Sequence, residues 1–291
     1  MGVQRWSFEI LKCGISGVIG ATLTFHLFDW HNGNDDKVVQ PVQAAESIIV
    51  PPRPASPLES TTVNNVGLPL SNQLRVFSSY VCAYDRRNRV PLWVLEHLTP
   101  ANVGISSNPN EQAVAVDRSQ FEFYEDISEF PIFRASNKDY QKSGYDRGHL
   151  AAAGNHRFDK QAMQETFNLC NIAPQVGIGF NRHAWNDLEK YIRGIARRSA
   201  SVVVITGPLY LPRMYGNKKY VHYEVIGEND VAVPTHFFKA IAIQSKPFGK
   251  WECRAWVLPN EKLPEKVDLN SFQVPIGSLE RKAGLKLFPN I

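Results

Sequence analysis

The sequence predicts an α+β fold in which helices flank a mainly antiparallel central sheet. Segments rich in β-branched and aromatic residues, which favour strands, outnumber the segments with helical spacing. The helical segments also fall between the strands without the strict alternation that is typical of a doubly wound fold. With 291 residues, of which 43% are hydrophobic and 21% charged, the chain can build one large core. A wholly disordered or multi-span membrane protein is therefore excluded.

Four stretches of the chain carry the strand pattern. Residues 78–98 alternate between apolar and polar side chains, and they predict two strands joined by a turn at residues 85–89. The other three stretches are dense in β-branched and aromatic residues: 202–210, 230–244 and 251–260.

Two segments predict helices. Residues 184–198 place apolar side chains on one stripe at helical spacing: Trp185, Leu188, Ile192 and Ile195. Asp159 belongs to the residue types that cap helix N-termini, so a second helix is predicted over residues 160–169.

Composition divides the chain into three parts. Residues 1–30 contain an uncharged run at 13–25, which is shorter than the ~20 residues that span a bilayer. We interpret them as an N-terminal targeting or anchor segment; a signal-peptide core, a mitochondrial presequence and a single-span anchor all remain open. Residues 31–69 are predicted to form a Pro/Ser-rich linker, because they have few large apolar groups to bury. Residues 70–291 are predicted to form the folded domain.

The folded part of the chain carries the excess of basic residues. The whole chain has a net charge of +4, yet residues 1–70 hold six acidic and only four basic side chains. A basic domain suits a polyanionic partner, although a merely soluble basic protein has the same composition. The four cysteines lie far apart and form no CxxC pair, so neither a structural zinc site nor a disulfide framework is indicated.

The densest cluster of reactive side chains lies at residues 143–149, which read Ser-Gly-Tyr-Asp-Arg-Gly-His. The imidazole of His149 can accept a proton near neutral pH, and the guanidinium of Arg147 can hold a phosphate with two parallel hydrogen bonds. Taken alone, residues of these types more often belong to a surface or packing network.

A second group of candidates accompanies the helix predicted over residues 184–198. Asn181 precedes it, and Glu189 and Arg193 lie four residues apart within it, so they share one face. That face is opposite much of the apolar stripe. Asn and Glu supply the hard oxygen ligands that Mg²⁺ prefers, and an ordinary surface ion pair between Glu189 and Arg193 is the alternative.

Residues 145–156 read YDRGHLAAAGNH and resemble the DRGH motif of the DNA/RNA non-specific ββα-metal nucleases. The resemblance extends over residues 67–291 and includes several further segments: 116–126, 165–175, 180–191, 203–213, 231–240 and 288–291. It implies that a ββα-metal finger carries the active site of an enzyme that hydrolyses the phosphodiester bonds of DNA and RNA.

The resemblance implies a role for each main candidate. His149 is the general base that removes a proton from the attacking water, and Asn181 is the sole direct protein ligand of one Mg²⁺, which Mn²⁺ can replace. Glu189 holds a metal-bound water, and Arg147 and Arg193 stabilise the charge of the transition state. The products carry 5′-phosphate and 3′-hydroxyl ends.

Lesser roles are implied for residues around this centre. Arg118 is a weaker candidate for phosphate binding. Asn155 and Asn171, together with Asp146, are expected to shape the substrate-binding part of the site.

The remaining histidines are weaker candidates than His149. His156 and His183 stand close to the motif residues and are considered for substrate contact. The other three are expected to be ordinary core or surface residues: His97, His222 and His236.

The resemblance also implies partners and a location. DNA and RNA are bound through the phosphate backbone with little base recognition, and the protein is a homodimer. The N-terminal segment contacts or spans a mitochondrial membrane, and the protein resides in the mitochondrial intermembrane space. Relocation to the nucleus on cell death would link it to apoptotic DNA degradation.

Two other functions remain open. One is a mitochondrial 5′-exonuclease of the same family, which carries an additional C-terminal helical region for which the sequence leaves no room after Ile291. The other is a catalytically idle nucleic-acid-binding protein on the same fold. The intact His149, Asn181 and Glu189 argue against the second.

Overall fold

The computed structural model describes residues 74–104, 115–157 and 159–291. The predicted targeting segment (1–30) and linker (31–69) lie outside the described residues. Within the described ranges, no helix combines the length and the apolar composition that crossing a membrane requires.

The described residues form twelve strands and four α-helices. The strands are β1 (Leu74–Val76), β2 (Tyr80–Asp85), β3 (Val90–Leu98), β4 (Tyr145–His149), β5 (Ile172–Val176), β6 (Ser201–Leu209), β7 (Arg213–Tyr215), β8 (Lys218–Tyr220), β9 (Val225–Ile226), β10 (Val231–Ala232), β11 (His236–Gln244) and β12 (Trp251–Pro259). The helices are α1 (Asn137–Tyr140), α2 (Lys160–Glu165), α3 (Asn186–Ala196) and α4 (Ile276–Ala283). A wide helical turn, Gly177–Trp185, leads into α3, and short 3₁₀ turns lie at Arg118–Gln120, Pro131–Phe133, Ala153–Asn155, Leu169–Asn171 and Leu269–Phe272.

Six strands build the central sheet in the order β1-β2-β3-β6-β11-β12, and every neighbouring pair is antiparallel. β11 lies inside this sheet and all but its last residue are buried. A strand covered on both faces needs a nearly continuous apolar run, which is what its sequence supplies. Phe237 on β11 and Trp256 on β12 are fully buried in the core. The predicted α+β class with a mainly antiparallel sheet is confirmed.

One predicted strand is divided in the structure. Residues 230–244 form β10 and β11 with a break between them rather than a single strand. Pro234 lies in the break, and it has no N–H to donate to a neighbouring strand.

The helix predicted over residues 160–169 begins as expected but is shorter. The Asp159 side chain accepts a hydrogen bond from the Ala162 nitrogen at 3.0 Å and caps α2. The helix ends at Glu165, because the Asn168 side chain caps a separate turn that leads into β5.

The predicted apolar stripe anchors α3 to the core. Trp185, Leu188 and Ile192 are buried, and Ile195 packs partly buried against them. The opposite side of α3 therefore stays free of the core.

Two strands and a helix form one local unit around the motif. β4 pairs antiparallel with β5, with Tyr145 opposite Val176 and His149 opposite Ile172. The wide turn then carries the chain from β5 into α3. Gly179 in this turn has φ +90°, and a Cβ there would lie 2.7 Å from the backbone of Leu263, so only glycine fits. This ββα unit brings the motif on β4 beside the start of α3.

Candidate active site

A groove of about 590 Å³ opens between β4, the wide turn and α3. Six of the eight site residues predicted from the sequence line it: Arg118, Arg147, His149, Asn181, Glu189 and Arg193. The structure therefore brings together the motif on β4 and the candidates that accompany α3. Asn155 and Asn171 do not line this groove.

Alternation along β4 places three motif residues on one face, and Asp146 reaches the groove from the other face. Tyr145, Arg147 and His149 are two residues apart, so they lie on one face of the strand, and all three line the groove. Gly148 faces the other way, where a Cβ would collide with the buried side chain of Gln175 on β5. The glycine of the motif is needed for the close pairing of β4 with β5.

His149 is enclosed by aromatic rings. It is 8% exposed, and its ring centroid lies 5.3 Å from that of Phe123 and 5.0 Å from that of Phe167. Burial, aided by the positive charge of Arg118, lowers the pKa of His149 to about 3. The imidazole is therefore neutral at physiological pH. Its Nε2 atom is buried and has no hydrogen-bond partner among the described residues. An unmet polar atom of this kind costs ~1–3 kcal/mol in an inert site and is typical of a catalytic group that bonds to water or substrate.

Asn181 is oriented by a carboxylate. Its Nδ2 atom donates to Asp146 Oδ2 at 2.9 Å, and the same carboxylate accepts from Arg182 Nε and Nη2 at 2.8 and 2.7 Å. These bonds hold the pKa of Asp146 below its usual range, and the bond from Arg182 has the largest effect. A carboxylate only accepts, so the atom of Asn181 that faces it is the amide nitrogen. The carbonyl oxygen, which has no protein partner among the described residues, is left for a cation.

Glu189 lines the groove from α3. Burial raises its pKa, while the positive charges of Lys239 and Arg193 act to lower it. No residue of the described ranges gives Glu189 a hydrogen bond or an ion pair, so the surface pair with Arg193 considered from the sequence is not formed. A partly buried carboxylate of this kind is stabilised by a cation or by the water bound to one.

The donor atoms of the groove fit a hard divalent cation. The free carbonyl oxygen of Asn181 and the carboxylate of Glu189 are oxygen ligands, and none of the cysteines that the structure describes lines the groove. Mg²⁺ takes such ligands in small number and keeps several of its waters.

Two further guanidinium groups lie against the rings that enclose the imidazole. The Arg147 guanidinium is 4.5 Å from the centroid of Phe123, and the Arg118 guanidinium is 5.6 Å from that of Phe167. These cation–π contacts hold both charges at the groove without neutralising them.

Asn155, which is expected to shape the substrate-binding part of the site, lies buried behind the groove. Asn155 is 4% exposed; its Nδ2 atom donates to Glu96 Oε1 at 2.9 Å, and its Oδ1 atom accepts from Arg193 Nη1 at 3.1 Å. Both ends of the amide are used inside the protein, so Asn155 holds Arg193 instead of touching substrate. His156 Nε2 lies 3.0 Å from the same Glu96 oxygen and is equally buried, which also removes His156 as a substrate contact.

Asn171 also lies behind the groove. It is fully buried, and its side chain accepts from the Ala151 nitrogen at 2.8 Å and donates to the carbonyl oxygens of Ala151 and Thr166 at 3.0 and 2.8 Å. The amide thus joins the backbone just after β4 to the backbone just after α2. His183 likewise serves the backbone, because its Nδ1 atom accepts from the Gly179 nitrogen at 2.9 Å.

Two charged residues near the groove were missed from the sequence. Arg182, which holds Asp146, directly follows Asn181, and that adjacency was the available signal. Lys239 is 2% exposed on β11, where its Nζ atom donates to Thr206 Oγ1 at 2.8 Å. Burial lowers the pKa of Lys239. Nearby carboxylates act to raise it, and Glu189 has the largest effect among them. A lysine inside the apolar run HFFKAIAI was the signal for such a buried charge.

The comparisons with known proteins agree with this geometry. The model of the DNA/RNA non-specific endonuclease family matches residues 59–291. The chain belongs to this family. It is 43% identical over 297 residues to "Endonuclease G, mitochondrial" of Bos taurus, covering 97% of this chain and 95% of the relative. It is 48% identical over 226 residues to the Homo sapiens protein of the same name, covering 77% of this chain and 72% of the relative.

A solved structure gives the same result for the fold. A chain of an EndoG/EndoGI complex is 49% identical to this protein with a TM-score of 0.70, and the match covers 79% of this chain and 91% of that one. The predicted family, the fold class with its ββα-metal unit and the assignment as a nuclease are confirmed.

The charge of the groove suits a non-specific endonuclease. Four arginines and two acidic residues line it: Arg118, Arg147, Arg182, Arg193, Asp146 and Glu189. Phosphate is the part of a nucleic acid that is the same at every position, so contacts through arginine carry affinity without sequence information.

Proposed function

We propose that this endonuclease is Mg²⁺-dependent and sugar-non-specific, cleaves DNA and RNA, and leaves 5′-phosphate and 3′-hydroxyl ends. The observation that carries the proposal is the neutral imidazole of His149, with its unpartnered Nε2, in the same arginine-lined groove as the oriented amide of Asn181.

His149 is proposed as the general base. A neutral imidazole accepts the proton of the attacking water as the water oxygen bonds to phosphorus, and a lowered pKa keeps it available at every physiological pH. The two enclosing rings keep the imidazole in place.

Asn181 and Glu189 are proposed to hold the metal ion. The carbonyl oxygen of Asn181 would bind it directly, and the carboxylate of Glu189 would hold one or more of its waters. Mg²⁺, when bound, supplies positive charge to a non-bridging phosphate oxygen and to the leaving 3′ oxygen. Mn²⁺ takes the same oxygen ligands and is expected to substitute.

The arginines are proposed to bind and stabilise the phosphate. Arg147 and Arg193 act on the charge that develops as the P–O bond breaks, and Arg118 binds a phosphate of the substrate. The hydrogen bond from Arg193 to Asn155 supports this assignment, because it fixes one end of the guanidinium.

The biological setting of the proposal comes from the relatives, which are named mitochondrial. We propose residues 1–30 as a mitochondrial targeting or anchor segment that contacts or spans a membrane, residues 31–69 as a linker and residues 70–291 as the nuclease domain. The protein would reside as a homodimer in the intermembrane space and relocate to the nucleus during apoptotic DNA degradation. Fractionation of mitochondria with N-terminal sequencing tests the location, and light scattering tests the dimer.

Closed circular plasmid DNA tests the endonuclease activity. An endonuclease converts it first to nicked and then to linear DNA in the presence of Mg²⁺, whereas a 5′-exonuclease needs an end and leaves it intact. Labelling of the product ends with and without prior phosphatase treatment identifies the 5′-phosphate. An intact circle beside a degraded linear substrate contradicts the endonuclease proposal, and binding without cleavage of either contradicts any nuclease.

A further inference from the structure

A second surface of the molecule carries aromatic and basic side chains that the proposed chemistry does not use. β7 and β8 form an exposed hairpin whose two-residue turn has Gly216 at φ +62°, as a type II′ turn requires. Arg213 lies opposite Tyr220, and Tyr215 opposite Lys218, and residues opposite each other share a face of the hairpin. Together with the residue two positions beyond β8 they make up what we call the hairpin face: Arg213, Tyr215, Lys218, Tyr220 and His222.

The rings of the hairpin face contact one another rather than the core. The His222 ring stacks on that of Tyr215 with a centroid distance of 4.8 Å and an interplanar angle of 20°, and Tyr220 lies 5.6 Å from His222. Tyr215 is 51% exposed and Tyr220 42% exposed. These rings therefore add little to the core, whereas exposed rings beside cations are the surfaces on which unpaired bases stack.

The charge of the hairpin face is complementary to a polyanion. Lys218 forms no ion pair within the part of the chain that the structure describes. The acid nearest to Arg213 is Glu261 at 3.9 Å, and both side chains are more than half exposed, so this pair is weak and leaves the guanidinium available.

Tyr145 joins the hairpin face to the active-site groove. Its hydroxyl donates to Glu224 Oε2 at 2.7 Å, just beyond the hairpin. Tyr145 also lines both the groove and a smaller pocket of about 200 Å³ that three residues of the hairpin face line. Tyr145 and His149 are four residues apart on β4, roughly 13 Å, a distance that a strand of a few nucleotides spans. One strand can therefore reach both places.

We propose that the hairpin face binds unpaired nucleotides of the same strand whose phosphodiester lies in the groove. Bases stack on Tyr215 and His222, and phosphates pair with Arg213 and Lys218. The inference rests on the proposed nuclease function, which it deepens by naming single-stranded DNA or RNA as the form of substrate that the enzyme holds best. Bases inside a duplex are already stacked on each other, so a duplex gains only the phosphate contacts.

The test is a binding measurement on the full chain with the metal chelated, so that nothing is cleaved. Fluorescence anisotropy gives the affinity for a single-stranded oligonucleotide, for an abasic oligonucleotide of equal length and for the corresponding duplex. The double variant Tyr215→Ala/His222→Ala is expected to bind the single strand roughly 10- to 100-fold more weakly, as loss of base stacking requires. Its affinity for the abasic strand and the duplex is expected to stay unchanged.

Phe248→Ala is the matched control. Phe248 is a fully exposed ring in the connection between β11 and β12, at the end of β11 away from the break at Pro234, and its removal is expected to leave all three affinities unchanged. Equal losses of affinity for the single strand and for the abasic strand would overturn the proposal, because the hairpin face would then contact only phosphates and not bases. Unchanged affinity of the double variant for the single strand would also overturn the proposal. A protein partner would then be the alternative occupant of the hairpin face.

A small phosphodiester separates this proposal from the proposed function. Bis(p-nitrophenyl) phosphate has no neighbouring nucleotides, so its cleavage with Mg²⁺ reports the groove alone. The double variant is expected to keep its rate on this diester while its KM for single-stranded DNA rises by about the factor lost in binding. An unmodified chain that binds the single strand tightly but cleaves neither substrate refutes the nuclease function. A double variant with unchanged affinity for the single strand refutes only the nucleotide-binding role of the hairpin face.

Discussion

Single residues in the groove acquire their chemistry from what surrounds them. His149 would be an ordinary titrating histidine in water, but two aromatic rings and a nearby guanidinium keep it neutral, with its Nε2 unpaired. Asn181 would be an ordinary amide, but Asp146 fixes its nitrogen and so presents its oxygen. These surroundings suit the roles that we propose for the two side chains, a general base for His149 and a metal ligand for Asn181.

Removal of either group should stop catalysis without unfolding the protein. His149→Ala is expected to slow DNA cleavage by about 10²–10⁴-fold, the usual loss for a general base. Asn181→Ala should lose at least as much, because it removes the direct ligand of the metal. Initial rates on plasmid DNA measure both, with circular dichroism to check the fold.

His97→Ala is the matched control for these variants. His97 is an exposed histidine on β3 whose Nε2 atom lies 2.8 Å from Ser201 Oγ, outside the groove. Its removal is expected to leave the rate unchanged. Near-normal cleavage by His149→Ala would show that another group takes the proton.

Lys239 should tune the acid limb of the pH–rate profile. Glu189 must be ionised to hold a metal-bound water; burial raises its pKa, and the positive charge of Lys239 acts to lower it. Lys239→Met removes that charge, so the pKa of Glu189 rises further and a smaller fraction is ionised at a given acidic pH. The acid limb of kcat/KM is expected to move to higher pH.

Lys190→Met serves as the comparison for Lys239→Met. Lys190 is the neighbour of Glu189 on α3, but its ammonium is exposed and pairs with Asp187 at 3.0 Å, so solvent screens its charge. Its profile should overlay that of the unmodified protein. An unmoved acid limb in Lys239→Met would exclude the electrostatic role of Lys239.

At the scale of elements, the ββα unit depends on the close approach of β4 to β5. Gly148→Ala is expected to destabilise the protein and to lower activity. Its Cβ would collide with Gln175 on β5 and push β4, which carries His149, away from β5. Gly277→Ala in α4 has open space around its Cβ, and it should stabilise by about 0.5–1 kcal/mol through the higher helix propensity of alanine. Urea denaturation compares the two, and equal stability of both variants would contradict the packing argument.

The long elements were predictable and the connections less so. The stripe from Trp185 to Ile195 predicts α3, and the dense β-branched runs predict β6, β11 and β12, because one pattern repeats over many residues. The break at Pro234 was missed because the apolar run continues on both sides of it. The β7–β8 hairpin was missed as well, although Gly216-Asn217 between short polar strands is a turn signal.

The site was predictable where residue type alone restricts the chemistry. His149, Asn181 and Glu189 could be chosen from the motif and its spacing, and the structure places all three at one groove. The burial of Asn155 and Asn171 depends on partners far away in the sequence, such as Glu96 on β3, and no local pattern contains that information. The same holds for the effect of Lys239 on Glu189.

For the whole molecule, the concentration of arginines in one groove predicts a strong dependence on salt. Arg182 is already paired with Asp146; if the other three groove arginines each neutralise one phosphate, the affinity for duplex DNA falls roughly 40-fold between 50 and 200 mM salt. Filter binding with the metal chelated measures the slope of the logarithm of the association constant against log salt, which is expected to be roughly −2.7, or about −0.9 for each phosphate contact. A flat dependence would contradict binding through the phosphate backbone.

The central claim is that one hydrated cation on Asn181 and the imidazole of His149 act on the same phosphodiester. A crystal of the His149→Ala variant with Mn²⁺ and an oligonucleotide tests it most directly, since the bound strand stays intact and Mn²⁺ scatters anomalously. The account predicts one anomalous peak about 2.1 Å from Asn181 Oδ1, in contact with a phosphate oxygen. A peak held by other residues, with Asn181 free of the metal, would contradict it.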